Sequence, residues 1–460
     1  MKRLAPGLVV MLAACTAGPD YRPPAPLPAS QIRLQESLAN GAVTPSPLPD
    51  TWWQLFNDAE LDRLIARALA NNTDLRIAAA NLQRARALFS GAGAARLPTT
   101  DGTAQYSRSR SVTTGQPVTT DYFALGFDAS YEVDLFGGVS RSIEAARADA
   151  GAAQAAVDAA RVAVVAETAR AYAQACGYGA QADVARETET LQSRTFDLTH
   201  RRQDAGRGTR SEVDQAQVLV EQARAQVPVF EAERRAALYA LAVLTGDPPA
   251  MIADTPAAQC HAVPLASEPL PVGDGQALLA RRPDVRQAER TLAADTARIG
   301  VATAALYPSV TLLGGIKLGS ANLGDIGKSA SFGYSLGPLI SWNFPLNGAA
   351  RARVRENRAI ADGSLARFDG TVLTALKEAE QALARAGGAT LREAALRRAV
   401  TASSDAARLS RIRFDNGADS FLQLLDTERQ RASARAALAQ AEAERADAQI
   451  SVFKALGGGW

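Results

Sequence analysis

Between residues 122 and 136, apolar side chains fall on every second position. Phe123, Leu125, Phe127, Ala129, Tyr131, Val133 and Leu135 alternate with Gly126, Asp128, Ser130, Glu132 and Asp134. Period-two alternation predicts a strand with one apolar face and one wet face. The pattern returns at Phe332, Tyr334, Leu336, Pro338, Ile340, Trp342 and Phe344, broken only by Leu339. Weaker strands are expected just upstream of each stretch, at 99–109 and 309–319, with polar loops at 111–120 and 320–330 between. A half-buried soluble hairpin and a stave of a membrane barrel share this pattern, and the strands alone leave both open.

The rest of the chain follows a helical period. Leu61, Leu64, Ile65, Ala68, Leu75, Ala78 and Leu82 form an amphipathic stripe over 58–97, with a break at Asn71–Asp74 and a stop at Pro98. No proline occurs from Val139 to Asp204, which predicts one helix on the order of 100 Å long. Gly206 and Gly208 then mark a tight turn. Ser211 opens a further helix to about Leu244, which Pro228 should interrupt and kink. The same plan recurs: Leu279–Arg286 parallels Leu69–Arg76, and Tyr307-Pro308 parallels Leu97-Pro98, each 210 positions later. Asn347-Gly348 echoes Gly137-Gly138. A second long helix at 349–414, a turn at Asn416-Gly417 and a last helix at 420–456 complete the second half. Two halves of helix, strand, strand, long helix, helix constitute a structural repeat. The expected divisions are a leader (1–14), a Pro-rich arm (15–50), a first repeat (51–246), a connector (247–274) and a second repeat (275–460).

Composition adds location. Lys2 and Arg3 precede a short apolar core that ends in Leu12-Ala13-Ala14-Cys15, which resembles the bacterial lipobox. That implies cleavage before Cys15, lipidation of its thiol and, with Thr16 next, an outer-membrane destination. No other apolar run is long enough for a membrane helix, so any other crossing must use strands. With 50 Lys+Arg against 48 Asp+Glu and no basic stripe, nucleic acid is not an expected partner. His200 and His261 form no zinc-like cluster, and no nucleophile elbow or phosphate loop occurs, so no metal, cofactor or enzymatic activity is expected. Cys176 and Cys260 either pair in an oxidising compartment or remain buried thiols.

Four strands cannot close a barrel, and lipid does not tolerate open edges, so the chain must oligomerise; three copies would give twelve strands, and the sequence alone leaves two or four copies open as well. At this point the layout resembles the TolC-type outer-membrane factors, specifically the lipidated OprM/NodT-like branch. The resemblance rests on Cys15, Gly18-Pro19-Asp20-Tyr21, Trp52-Trp53 with Phe56, Leu61–Leu64, YEVDLFGG at 131–138 and RFDNGADSFLQLLDTERQ at 413–430. It implies a mostly α fold carrying a membrane β-barrel: a long α-helical barrel plus four strands per chain, completed by trimerisation. It further implies a passive efflux duct in the outer membrane that extends into the periplasm. Its partners would be outer-membrane lipid, a periplasmic adaptor and an inner-membrane pump of the RND type. The same layout would also suit a conduit for type I protein secretion, and a pore-free periplasmic adaptor lipoprotein is the reading from another class. The expected lipid-facing residues are Phe123, Leu125, Phe127, Tyr131, Phe332, Tyr334 and Trp342. The helix turns at Gly206, Gly208 and Gly417 would form the periplasmic mouth and the adaptor contact. Leu422, Asp426 and Arg429 fall on one helical face, with Asp214 as the first-half counterpart, and would form the gate. Gln423 stands where TolC carries a second aspartate.

Overall fold

The computed structural model describes residues 16–25, 28, 32, 34, 43–113, 115–342 and 348–458. The leader, Cys15, Phe344 and Asn347 lie outside them. A two-residue strand β1 (Val43–Thr44) and a 3-10 turn at Trp52–Phe56 lead into α1 (Ala59–Asn71) and α2 (Thr73–Ala94). Next come β2 (Thr99–Thr113), β3 (Gln116–Val133), α3 (Gly138–Asp204) and α4 (Arg210–Thr245). After β4 (Leu270–Pro271) the order repeats as α5 (Gly275–Arg281), α6 (Pro283–Ala304), β5 (Ser309–Ser320), β6 (Phe332–Ser341), α7 (Ala349–Asp415) and α8 (Phe421–Ala455). The chain is mostly helical, and α3 and α7 have the same length, 67 residues.

Local chemistry explains the element ends. The break between α1 and α2 is one residue wide. Asn72 caps α2, its Oδ1 accepting from the amides of Asp74 at 2.9 Å and Leu75 at 3.2 Å. At the matching break Pro283 opens α6, where its missing N–H costs nothing. Thr209, rather than Ser211, starts α4, through a capping box with Glu212. The helix remains helical through Pro228, so the expected interruption does not occur.

The strands differ from expectation at both ends. β2 and β3 pair as a long hairpin as far as Thr113 and Gln116, so the expected polar loop at 111–120 is mostly strand. Backbone pairing does not require apolar side chains, and Val112, Val118, Thr119 and Thr120 are β-branched. Pro117 is tolerated because β3 there extends past β5 and has a single neighbour. Gly115, at φ 79°, closes the turn. The 320–330 connection carries two 3-10 turns, at Leu323–Asp325 and Ser329–Ser331. At its other end β3 stops at Val133. Asp134, expected on the wet strand face, instead caps α3 by accepting from the amides of Val139 (3.0 Å) and Ser140 (2.8 Å). Trp342 lies one residue past β6, and its indole N–H donates to the Leu306 carbonyl.

The chain divides into two compact units. The first comprises Met1–Ala25, Asn81–Gln154 and Arg286–Gly370, and holds the four-stranded antiparallel sheet, in the order β2-β3-β5-β6. The second comprises Pro26–Ala80, Ala155–Val285 and Thr371–Trp460. Its core is built on Trp52, which stacks on Phe453 with ring centroids 4.8 Å apart and meets Phe56 edge-on. Leu61, Ile65, Val165, Leu241 and Ile450 join it. A second, smaller core holds Ala216, Phe414, Phe421, Leu424 and Leu425. Cys176 and Cys260 are joined by a disulfide that ties the connector after α4 to α3. Among the described residues no helix is long and apolar enough to cross a membrane.

Candidate functional site

Strand register decides which side chains share a face of the sheet, because directly paired residues point the same way. Leu125 pairs with Leu318, which pairs with Phe332; Phe127 pairs with Ile316, which pairs with Tyr334. Tyr131 faces Leu312, and Phe123 faces Tyr106 with ring centroids 4.8 Å apart. Six of the seven residues expected to face lipid therefore lie on one apolar face; Trp342 lies beyond the strand. The opposite face carries Asp101 paired with Asp128, Gly126 with Lys317, and Glu132 with Thr311. Val118, Tyr122, Ala124, Leu313 and Leu339 are its apolar exceptions. In the single chain Leu125, Phe127, Ile316, Phe332, Tyr334 and Leu336 are all exposed. A continuous apolar surface of this kind marks an interaction face. Among the described residues the outer edges of β2 and β6 have no neighbouring strand.

The residues that follow Cys15 dock onto this same unit. Gly18 adopts φ +87°, and a Cβ there would sit 2.5 Å from the Gly300 Cα, so only glycine fits. Asp20 accepts from Arg141 Nη2 at 2.5 Å, and Arg141 also reaches Glu144 at 2.7 Å and the Ala17 carbonyl. The Tyr21 hydroxyl donates to Glu289 at 3.0 Å. Its burial, then the Glu289 carboxylate, push the phenol pKa up. Thr16 packs against Gly137, and the Ala17 amide donates to the Phe136 carbonyl. Each residue of Gly18-Pro19-Asp20-Tyr21 except the proline thus has a specific partner. Arg141, the hub, carried no signal in the sequence pattern.

At the turns between the long and following helices, Gly206 and Gly417 take left-handed conformations, with φ 69° and 75°. Their caps match. Arg207 N–H reaches back to the Arg202 carbonyl, and Ala418 N–H to the Arg413 carbonyl. These are Schellman caps, which satisfy the last carbonyls of α3 and α7. Gly208, in contrast, keeps an ordinary φ and lies against Gln203 and the Glu212 side chain. The Arg202 guanidinium lies 4.6 Å from the Phe414 ring centroid, over the smaller core.

Both gate carboxylates pair on their own helices. Asp214 pairs with Arg210 on its own helix at 3.1 Å. Asp426 pairs with Arg429 at 2.7 Å and accepts from Gln430 at 2.6 Å. Leu422 is exposed, on the same helix. Among the described residues no hydrogen bond or ion pair joins Asp214 to the other three. The acidic group expected at position 426 is therefore half of an ion pair rather than a bare carboxylate.

No metal-ligating cluster occurs among the described residues. His200 pairs with Asp204, and His261 with Asp183.

Comparison with known proteins bears on the whole length. The profile of the family described as "Outer membrane efflux protein" matches residues 64–247 and 275–458. The chain is 32% identical to outer membrane protein OprJ of Pseudomonas aeruginosa, over 98% of this chain and 95% of that one. It is 31% identical to nodulation protein T of Rhizobium leguminosarum bv. viciae, over 98% and 92%. Its fold superposes on the outer-membrane channel OprN with a TM-score of 0.91 at 36% identity, covering 97% of this chain and all of that one.

Proposed function

The chain belongs to the outer membrane efflux protein family and is an outer-membrane efflux channel of the OprM/NodT type, and on that premise we propose that it acts as a trimeric passive duct. The duct would take small molecules from the periplasm to the exterior, fed by an adaptor and an inner-membrane pump. The observation that carries this reading is the sheet. Its apolar face is exposed over three strands, and its two edges have no partner strand among the described residues. Hydrocarbon solvates the apolar face, and pairing β6 of one copy with β2 of the next closes the edges. Three copies give twelve strands, an even number that leaves a polar lumen lined by Asp101, Asp128, Glu132 and Lys317.

The docked N-terminal segment supports lipid anchoring at Cys15. Thr16 sits against Gly137, at the junction between β3 and α3, where a membrane strand hands over to a helix. An acyl chain on the preceding residue would enter the same bilayer that the strands cross. The arm would then be a tether strapped down by Arg141 rather than a free leash. We assign adaptor contact to the turns at Gly206, Gly208 and Gly417, and resting closure to the ring that Asp426 and Arg429 form across three copies. Because each carboxylate is paired, that ring is neutral as it stands, and a charge change at either position alters it.

Cross-linking and light scattering of the detergent-solubilised chain, with conductance in planar bilayers, test the reading. Three copies per particle and a discrete pore are expected. A monomer that inserts no pore would overturn it.

A further inference from the structure

The β2–β3 hairpin outruns the rest of the sheet. β3 pairs with β5 only from Phe123 to Val133, while β2 and β3 stay paired as far as Thr113 and Gln116. From Ser107 to Tyr122 this projecting part carries three charged side chains, Arg108, Arg110 and Asp121. Register assigns all three to one face. Tyr106 pairs with Phe123, Arg108 with Asp121 and Arg110 with Thr119, and alternation along β2 puts Arg108 and Arg110 on the side of Tyr106. That side continues the apolar face of Leu125 and Phe127. On the opposite face the same stretch of β2 has Ser107, Ser109 and Ser111. In plain water both faces of a hairpin tip are solvated alike, and nothing would sort its charges onto the apolar side.

Depth gives the sorting a cause. Phe123 lies ten residues before the end of β3 at Val133, roughly 34 Å along the strand and about 24 Å in depth at the usual tilt. The apolar belt of a barrel is about 25 Å tall, with aromatic girdles at its edges. The rings of Tyr106 and Phe123, with centroids 4.8 Å apart, therefore stand at the far edge. Arg108, two residues further along, is about 5 Å beyond that edge, inside a headgroup layer about 5–7 Å deep. Arg110 is about 10 Å beyond it, and its long side chain can reach back into the same layer. Both are exposed. Arg108 Nε stands 3.8 Å from Asp121, outside hydrogen-bond range, and Asp121 accepts instead from the Tyr106 hydroxyl at 3.1 Å. Arg110 has no carboxylate partner among the described residues.

We infer that Arg108 and Arg110 form a binding surface for phosphorylated lipid headgroups, in the leaflet on the far side of the membrane from α3. The guanidinium fork matches phosphate oxygens bidentately, and attraction to an anionic surface adds with each arginine. This rests on the channel reading, under which the apolar face meets lipid.

The test titrates dioleoyl phosphatidate, a phosphomonoester lipid, into the full chain in mixed micelles of detergent and phosphatidylcholine, and counts the lipid retained by native mass spectrometry. The wild type should retain phosphatidate about tenfold or more over phosphatidylcholine, less so as salt is added. Arg108→Gln with Arg110→Gln should remove most of that preference. A second variant combines Ser107→Arg, Arg108→Ser, Ser109→Arg and Arg110→Ser. It keeps the net charge and moves both guanidiniums to the opposite face, and it should lose the preference equally. Inorganic phosphate at the same concentration should not displace the lipid. Equal retention of the two lipids by the wild type, an undiminished preference in either variant, or displacement by inorganic phosphate would overturn the inference. Conductance in bilayers is read on the same preparations. A chain that inserts and conducts without preferring phosphatidate refutes the lipid surface alone, while one that neither inserts nor conducts refutes the channel reading with it.

Discussion

Phe127→Arg separates a lipid-facing sheet from a water-facing one. Phe127 lies six residues before the end of β3 at Val133, the point where the chain turns into α3. At about 3.4 Å per residue that is roughly 20 Å along the strand. With the tilt of about 45° usual for barrel strands, it is about 14 Å in depth. An apolar belt of about 25 Å therefore puts Phe127 near its midplane. Its register neighbours, Ile316 and then Tyr334, are apolar and exposed, so a guanidinium there finds no carboxylate. Arginine at the midplane of a barrel's lipid face costs about 2–4 kcal/mol, a factor of roughly 30 to 1,000 in the folding equilibrium at about 1.4 kcal/mol per decade. In water the same change is mild. Phe127 is 55% exposed in the single chain, and exposed substitutions stay within about 0.5 kcal/mol. The assay is urea-titrated folding into lipid vesicles, followed by the electrophoretic shift of the folded barrel. Thr311→Arg, on the opposite face beside Glu132, should fold like the wild type. Equal stability of Phe127→Arg and wild type would refute the claim that this face meets hydrocarbon.

Three further outcomes are expected. The Cys176–Cys260 bond closes a loop of 84 residues, which the chain-entropy estimate values at about 4–5 kcal/mol; Cys260→Ser should lower the melting temperature and expose the connector to protease, and an unchanged melt with and without reductant would contradict this. The Tyr172 hydroxyl donates to Asp58 Oδ2 at 2.9 Å while Asp58 Oδ1 caps α1, so Tyr172→Phe should cost about 1.5–3 kcal/mol. Burial, then the Asp58 charge, raise the Tyr172 pKa. Its contribution is therefore complete below the unfolded value of about 10 and is lost as pH climbs through the raised folded value; alkaline melts of wild type and variant should converge. In the ring proposed for positions 426 and 429, Asp426→Ala would leave three arginines and Arg429→Ala three carboxylates. Each should raise resting conductance with opposite ion selectivity, while the double variant should conduct less than either, and identical traces for all would contradict the ring.

The helices were legible because their signals are local. The break at residues 72 and 282, the glycine turns and the stop before each strand follow from side chains within a few positions of the event. What was missed depends on distant partners. The hairpin at 111–120 is polar in sequence and strand in structure because each half supplies the other's hydrogen bonds, which hydrophobic periodicity does not register. Asp134 continues the alternation of β3 but belongs to α3, since a cap is read from the helix that follows. The cysteine pair could be named but not joined, as 84 residues separate the two. Asp426 and Arg429 were placed on one face by spacing, and the same spacing let them pair.

The repeat itself shows how the apolar face survives duplication. The first helices and strands of the two halves are offset by 210 positions: Thr73 matches Pro283, and Thr99 matches Ser309. Beyond the hairpins the offset is 211: Gly138 matches Ala349, and Arg210 matches Phe421. One residue has therefore been gained within the second hairpin. In a strand one residue is half a period, enough to turn every side chain to the other face. The apolar positions change with it. They are odd in β3 (Phe123, Leu125, Phe127) and even in β6 (Phe332, Tyr334, Leu336), while Tyr106 in β2 and Leu312 and Ile316 in β5 are all even. The registers change in step: β2 and β3 pair odd with even, whereas β5 and β6 pair even with even. The inserted residue is compensated by the pattern of β6, so β3, β5 and β6 present apolar side chains to one side, where Tyr106 of β2 joins them. Neither half of the chain needs that agreement for its own hairpin. It is required because β3 pairs with β5 and makes the two hairpins one wall, with a single environment on each face.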